Sequence, residues 1–149
     1  MKPKVQDKAW AAGLFDGEGC IMIKRDYNNR QSKRQVTFSL RLILTNNHVG
    51  ALEKFKLIAG NIGSIRQWSR DGRKNPTWDW RTASKQAESV LKLLLPYLVV
   101  KREQAELALL TRKYQQKVGA YMPNPNKDEI EGLRLQISSL NQGRAVPLQ

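Results

Sequence analysis

Side chains alternate along residues 36–44. Val36, Phe38, Leu40, Leu42 and Leu44 fall on one side, and Thr37, Ser39, Arg41 and Ile43 on the other. A period of two marks a strand with one buried face and one open, largely polar face. Upstream, Cys20-Ile21-Met22-Ile23-Lys24-Arg25 runs from apolar to polar and reads as a partner strand. The polar stretch Asn28, Asn29 and Arg30 to Arg34 reads as the turn between them, and Asn46-Asn47 ends the hairpin. A second hairpin is expected from about Ile62 to Arg70 and back over Thr77 to Thr82, with Asp71-Gly72 and Asn75-Pro76 in its turn. Its faces separate too: Ile65, Trp78 and Trp80 are apolar, and Arg66, Arg70, Thr77, Asp79 and Arg81 lie mainly opposite. Trp68 falls on the polar side, where it either stacks on a ligand or packs at the rim.

The remaining apolar positions recur at helical spacing. Asp7 is a candidate N-cap for a first helix that runs through an Ala/Gly-rich segment and breaks near Gly17 and Gly19. Val49, Leu52, Phe55 and Ile58 predict a second helix, with Gly60 as its stop. A third begins near Ser84 and buries Ala87, Val90, Leu91 and Leu94; Pro96 opens a fourth with Leu98, Ala105 and Leu109 inward. Beyond Pro123 and Pro125, Ile130, Leu133, Ile137 and Leu140 fit a short amphipathic helix that either docks on the body or stands free. The expected fold is α+β, a four-stranded antiparallel sheet backed by helices. Residues 1–116 would form the body, and 117–149 a linker with the short helix, in the same domain or flexible.

Charge changes the picture of the open face. Among 149 residues, 26 Lys and Arg face 13 Asp and Glu, a net +13 with a pI near 10.2. From Lys117 onward there are four basic and three acidic residues, a balance of +1, so +12 of that charge belongs to the first 116 residues. A basic body, rather than a basic tail, suits a shaped surface for a polyanion. Lys24, Arg25, Arg30, Arg34, Arg41, Arg66, Arg70 and Arg81 fall on or around the open side of the sheet, as a duplex groove would require. Candidate contacts in the major groove are Lys24, Asp26, Asn28, Arg30, Thr37, Ser39, Arg41, Arg66, Trp68, Arg70, Asp79 and Arg81. A membrane is the weaker partner, since no apolar run approaches the roughly 18 residues needed to span one and the N-terminus has no secretory pattern. One cysteine, Cys20, and one histidine, His48, exclude a Cys/His zinc site. The chain is expected inside the cell, in a bacterial or phage-infected cytoplasm or an organelle, and not secreted.

The first helix carries the candidate chemistry. Gly13 costs it about 1 kcal/mol against Ala, yet Ala11, Ala12, Gly13 and Gly17 leave stretches of its surface almost bare. Either a second helix approaches there or the helix packs on its own core. Asp16 and Glu18 lie at the helix end that disfavours acids. Two copies packed side by side would bring two Glu18 carboxylates together, a pair that needs a proton or a metal between them. Mg²⁺ or another divalent cation is the natural candidate, because it takes oxygen ligands and completes its shell with water and phosphate.

At these residues the chain resembles a known family. Ala11-Ala12-Gly13-Leu14-Phe15-Asp16-Gly17-Glu18-Gly19 is similar to the signature of the LAGLIDADG homing endonucleases. Gly60-Asn61-Ile62-Gly63 before the third strand and Pro96-Tyr97-Leu98-Val99-Val100-Lys101 also match, over roughly residues 7 to 115. The resemblance implies an αββαββα core whose sheet forms a DNA-binding saddle. It places Glu18 as the metal-binding acid, Gly17 as a carbonyl ligand, Asn46 as a residue ordering water, Lys101 as a basic residue in the same solvent pocket and Asp16 as structural. It sets Ala11, Ala12, Leu14 and Phe15 at a dimer interface, and a single signature implies a symmetric homodimer on near-palindromic double-stranded DNA. The expected reaction is metal-assisted phosphodiester hydrolysis by an intron-encoded enzyme. Departures are Ala11 for the common Leu, Phe15 for Ile or Val, Glu18 for Asp, and Asn46 for Gln. The same scaffold also implies an alternative, an intron RNA maturase or a DNA-binding protein that does not cut.

Overall fold

A computed structural model describes residues 2–28, 35–68, 76–115 and 124–143. Its order is α1 (Val5–Glu18), β1 (Gly19–Asn28), β2 (Gln35–Asn46), α2 (Val49–Ile58), β3 (Ser64–Trp68), β4 (Thr77–Ala83), α3 (Ser84–Leu94), α4 (Arg102–Gln115) and α5 (Lys127–Asn141). The four strands form one antiparallel sheet in the order β1-β2-β4-β3. This is the expected α+β architecture. The expected turn residues at 29–34 and 71–75 lie outside the described residues.

Register fixes the two faces. Ile21 pairs with Leu42, Ile23 with Leu40, and Leu44 with Trp80, and all six are buried. Opposite pairs point to the other side: Met22 with Arg41, Lys24 with Ser39, Asp26 with Thr37, Ile43 with Arg81, and Thr45 with Asp79. Every helix packs on the apolar side or at its margin, where Phe15 lies near Phe55 at 6.1 Å and Phe55 meets Trp80 edge-on at 4.8 Å. Aromatic pairs at such distances contribute beyond their buried area. The Trp80 indole donates to the Ile62 carbonyl at 2.9 Å. Gly63 makes room for that ring, at a φ of +94° that only glycine adopts freely.

Three details depart from the expected elements. Lys4, not Asp7, is the N-cap of α1; Asp7 sits one turn in and accepts the Lys4 N–H at 3.3 Å. Pro96 belongs to a short 3₁₀ turn, Leu95–Tyr97, and α4 begins only at Arg102. The N–H groups of Val99 and Lys101 are instead drawn to Asp16. Arg25 falls on the helix side of the sheet, where it pairs with Glu131 at 3.6 Å, so it does not belong to the open face.

α5 is docked. Ile130, Leu133 and Ile137 are buried, and Asn141 donates to the Ile21 carbonyl at 2.7 Å. Glu131 also accepts twice from Arg134, at 3.0 and 2.6 Å. The Arg134 guanidinium holds the Glu131 carboxyl below the usual carboxylate range against a burial effect, and Arg25 adds to it. A depressed carboxyl contributes stability above its unfolded pKa, near 4.3, and loses that contribution as pH falls through the folded value. The melting temperatures of the chain and of Glu131→Gln should therefore differ at neutral pH and converge below about pH 4. A gap that persists in acid would point to a role other than charge.

Candidate active site and nucleic-acid interface

The end of α1 is built around one buried ring. Phe15 is fully buried, and its carbonyl accepts the Gly19 N–H where the helix gives way to β1. A Cβ at Gly19 would stand 2.6 Å from both the ring and the carbonyl of Phe15. Glycine there lets the chain turn from helix to strand in one residue. Glu18 is thereby held at the margin of the sheet, next to Gly19, which pairs with Leu44.

The two acids of this turn have different surroundings. Asp16 is half-buried, and both its oxygens are occupied: Oδ2 accepts the Val99 N–H and Oδ1 the Lys101 N–H, each at 2.9 Å. The Lys101 ammonium donates to the Asp16 main-chain carbonyl at 2.5 Å. Asp16 thus ties the lead-in of α4 to the end of α1. Glu18 is exposed and bonds to no other described residue, as a carboxylate with room for an external ligand must. Through its bond to the Asp16 carbonyl, the Lys101 ammonium is held at the same helix end, two residues before Glu18. Burial pushes the neighbouring Cys20 thiol up, and the Lys101 charge draws it partly back.

The described residues of a single chain do not assemble a complete metal site. Among the described residues no group of three His, Cys, Asp or Glu is arranged to hold a cation. With Asp16 committed to backbone, Glu18 and the exposed Gly17 are what one copy offers. This donor set fits a hard divalent cation shared with a second copy and phosphate.

Asn46 closes β2 two residues beyond Leu44, at the Glu18 end of the sheet. Its Oδ1 accepts the His48 N–H at 2.8 Å, and His48 Nδ1 in turn accepts from Ala51 at 3.1 Å as the cap of α2. The side-chain oxygen of Asn46 thus has one of its two acceptor positions taken by this turn.

The expected dimer positions require correction. Ala11, Ala12 and Phe15 are at most 1% exposed within one chain and pack on its own core. Leu14 is half-buried against that core. The bare face of α1 is a different row at i, i+4 spacing, Val5, Ala9, Gly13 and Gly17, all exposed. Cβ atoms built at Gly13 and Gly17 meet nothing within 4 Å.

On the open face the structure places Lys24, Asp26, Thr37, Ser39, Arg41, Arg66, Trp68, Asp79 and Arg81 together. Arg30 and Arg70 lie outside the described residues, as does the side chain of Asn28. Several of these groups already have partners. Lys24 pairs with Asp26 at 3.4 Å, and Arg41 Nε donates to Ser39 at 3.3 Å. Asp79 is the exception to an exposed, basic surface: it is 6% exposed and bonded to Thr45 and Arg81. Thr45 has no distinctive sequence signal, because a threonine in a strand is unremarkable until its register is known.

Comparison with known proteins agrees with this geometry. The model of the LAGLIDADG endonuclease family matches residues 11–114. No curated protein sequence matches the chain. Among solved structures, the homing endonuclease I-CvuI, in complex with a DNA target in the presence of Mg and with the DNA not cleaved, is similar with a TM-score of 0.73 and 23% identity over 97% of this chain and 90% of that one. The archaeal intron-encoded homing endonuclease I-Vdi141I, complexed with DNA, gives 0.74 and 14% over 97% and 89%. I-SmaMI bound to cleaved DNA gives 0.59 and 20%, with this chain spanning 46% of it. At such identities the likeness speaks for the fold; the match over most of the sequence, with its acid-bearing helix end, speaks for descent. The chain belongs to the LAGLIDADG endonuclease family.

Proposed function

We propose that two copies of this chain form a sequence-specific endonuclease that hydrolyses both strands of a long, near-palindromic DNA site with a divalent cation. The observation that carries it is the exposed Glu18 carboxylate, bonded to no other described residue, beside a basic open sheet. Solved relatives captured on DNA, with Mg in one case and Ca in another, support the substrate and the class of cation.

Glu18 and the Gly17 carbonyl of each copy would hold the cation. When bound, it supplies Lewis-acid polarisation of the phosphate and a more acidic water. The protein groups do the rest. The twofold arrangement sets one acid against each of the two strands. Lys101 spends one of its three N–H donors on Asp16 and keeps two for phosphate charge. Basic side chains of the sheet bind backbone phosphates, which fixes register, while the better-placed ones read base edges. Water is the nucleophile, and no side chain need form a covalent intermediate.

Symmetry dictates the test. A library of inverted-repeat duplexes with randomised half-sites is incubated with the protein and Mg²⁺, and the cut ends are sequenced. The expected products share one motif centred on the cut and vanish when the cation is chelated. A library left intact at all protein concentrations would overturn the proposal.

A further inference from the structure

A carboxylate nearly buried in a surface meant for phosphate needs a reason. Asp79 is that group. Its Oδ1 accepts the Thr45 hydroxyl at 2.7 Å, and its Oδ2 accepts an Arg81 Nη2–H at 2.8 Å. The Asp79 side chain is 8% exposed and that of Arg81 54%. Arg66 lies opposite Asp79 on β3 but makes no bond to it. A half-exposed ion pair of this kind adds little stability. What it does is remove the freedom of the arginine.

We infer that Asp79, braced by Thr45, is a positioning residue that holds Arg81 for guanine readout in the inner part of each half-site. The inference rests on the sheet being the duplex-binding face. Asp79 uses one of the five N–H donors of the guanidinium, and the others suffice for a bidentate bond to guanine O6 and N7. Holding the fork in place before binding lowers the cost of ordering a long side chain. A concavity of about 140 Å³ lies beside it, lined on the open face by Arg41, Ile43, Arg81 and the small Ala83, with Leu42 and Thr82 behind them. Asp79 itself, with both oxygens used, is not a base contact.

Register gives the position. Gly19, which follows Glu18, pairs with Leu44, and the next open-face row holds Cys20, Ile43 and Arg81. The Asp26–Thr37 row lies three such rows further from the acid. Each row is two residues, about 6.8 Å, and a base pair rises about 3.4 Å. With strands lying along the groove, Arg81 reads about six base pairs closer to the cut than Asp26 and Thr37 do.

The experiment is a binding selection on the inverted-repeat library, without added divalent cation, for the full chain and its variants. The chain should enrich guanine at one inner position of each half-site. Arg81→Ala should erase that preference alone. Asp79→Asn and Thr45→Val should weaken it by about fivefold or more, with other positions and the salt dependence unchanged, while Thr45→Ser keeps it. Should Asp79→Asn fail to fold, Thr45→Val carries the test. Full guanine preference in both variants, or a loss spread evenly over all positions, overturns the inference. So does an Arg81→Ala profile identical to that of the unaltered chain. A chain that enriches no motif at all overturns the duplex-binding reading itself, which sets that failure apart.

Discussion

Glu18→Gln should lower the rate of duplex cleavage by about 10³-fold or more, while duplex affinity stays within about threefold. The amide keeps the size of the side chain and removes the charge that a hard cation requires. Among the described residues nothing replaces it: Asp16, two residues away, has both oxygens bound to main-chain N–H groups, and no group of three His, Cys, Asp or Glu is arranged to hold a cation. Because Glu18 is exposed and bonds to no other described residue, the fold loses no contact by the change. Single-turnover cleavage in Mg²⁺ and a gel-shift titration separate the two effects. Undiminished cutting by Glu18→Gln would remove the core of the mechanism.

Gly13→Arg should weaken self-association by about 100-fold or more and abolish cutting with it, although Glu18 is untouched. The argument is steric and electrostatic. Val5, Ala9, Gly13 and Gly17 form the one face of α1 bare enough for two backbones to approach closely. At a twofold axis any side chain added at position 13 meets its own copy, and two guanidinium groups would also repel. Within one chain the position is open, since a Cβ there meets nothing beyond its own helix within 4 Å, and a better helix former replaces glycine. Sedimentation should show a folded monomer, and its melting temperature should no longer depend on protein concentration. A dimer that survives would place the interface elsewhere.

The sheet was legible because its alternation was unambiguous. Leu40, Leu42 and Leu44 against Ser39, Arg41 and Ile43 allowed one choice of faces, and Trp78 and Trp80 fixed the return strand. α1 was less so. Its sequence contains two small rows at i, i+4 spacing, Ala11 with Phe15 and Ala9 with Gly13 and Gly17, and smallness does not tell which one meets the core. Phe15, the large member, decides it, through a partner 40 residues away, Phe55. Arg25 misled for a related reason: its charge suggested the open face, but a helix of the C-terminal segment supplies Glu131 on the other side. The resemblance assigns Asn46 to ordering water, whereas the turn to α2 competes locally for its oxygen. Asp79 was read as a base contact from its face alone; only the register reveals Thr45 beside it.

The bonds of Asp16 also set a clock. They join residues 83 and 85 positions apart in the chain. A ribosome adds about 5–20 residues per second, so Lys101 follows Asp16 by about 4 to 17 seconds. Until then the end of α1 lacks its anchor. A nascent chain therefore cannot set the acid-bearing end of this helix until the lead-in of α4 has been made, after all four strands of the sheet have been synthesised.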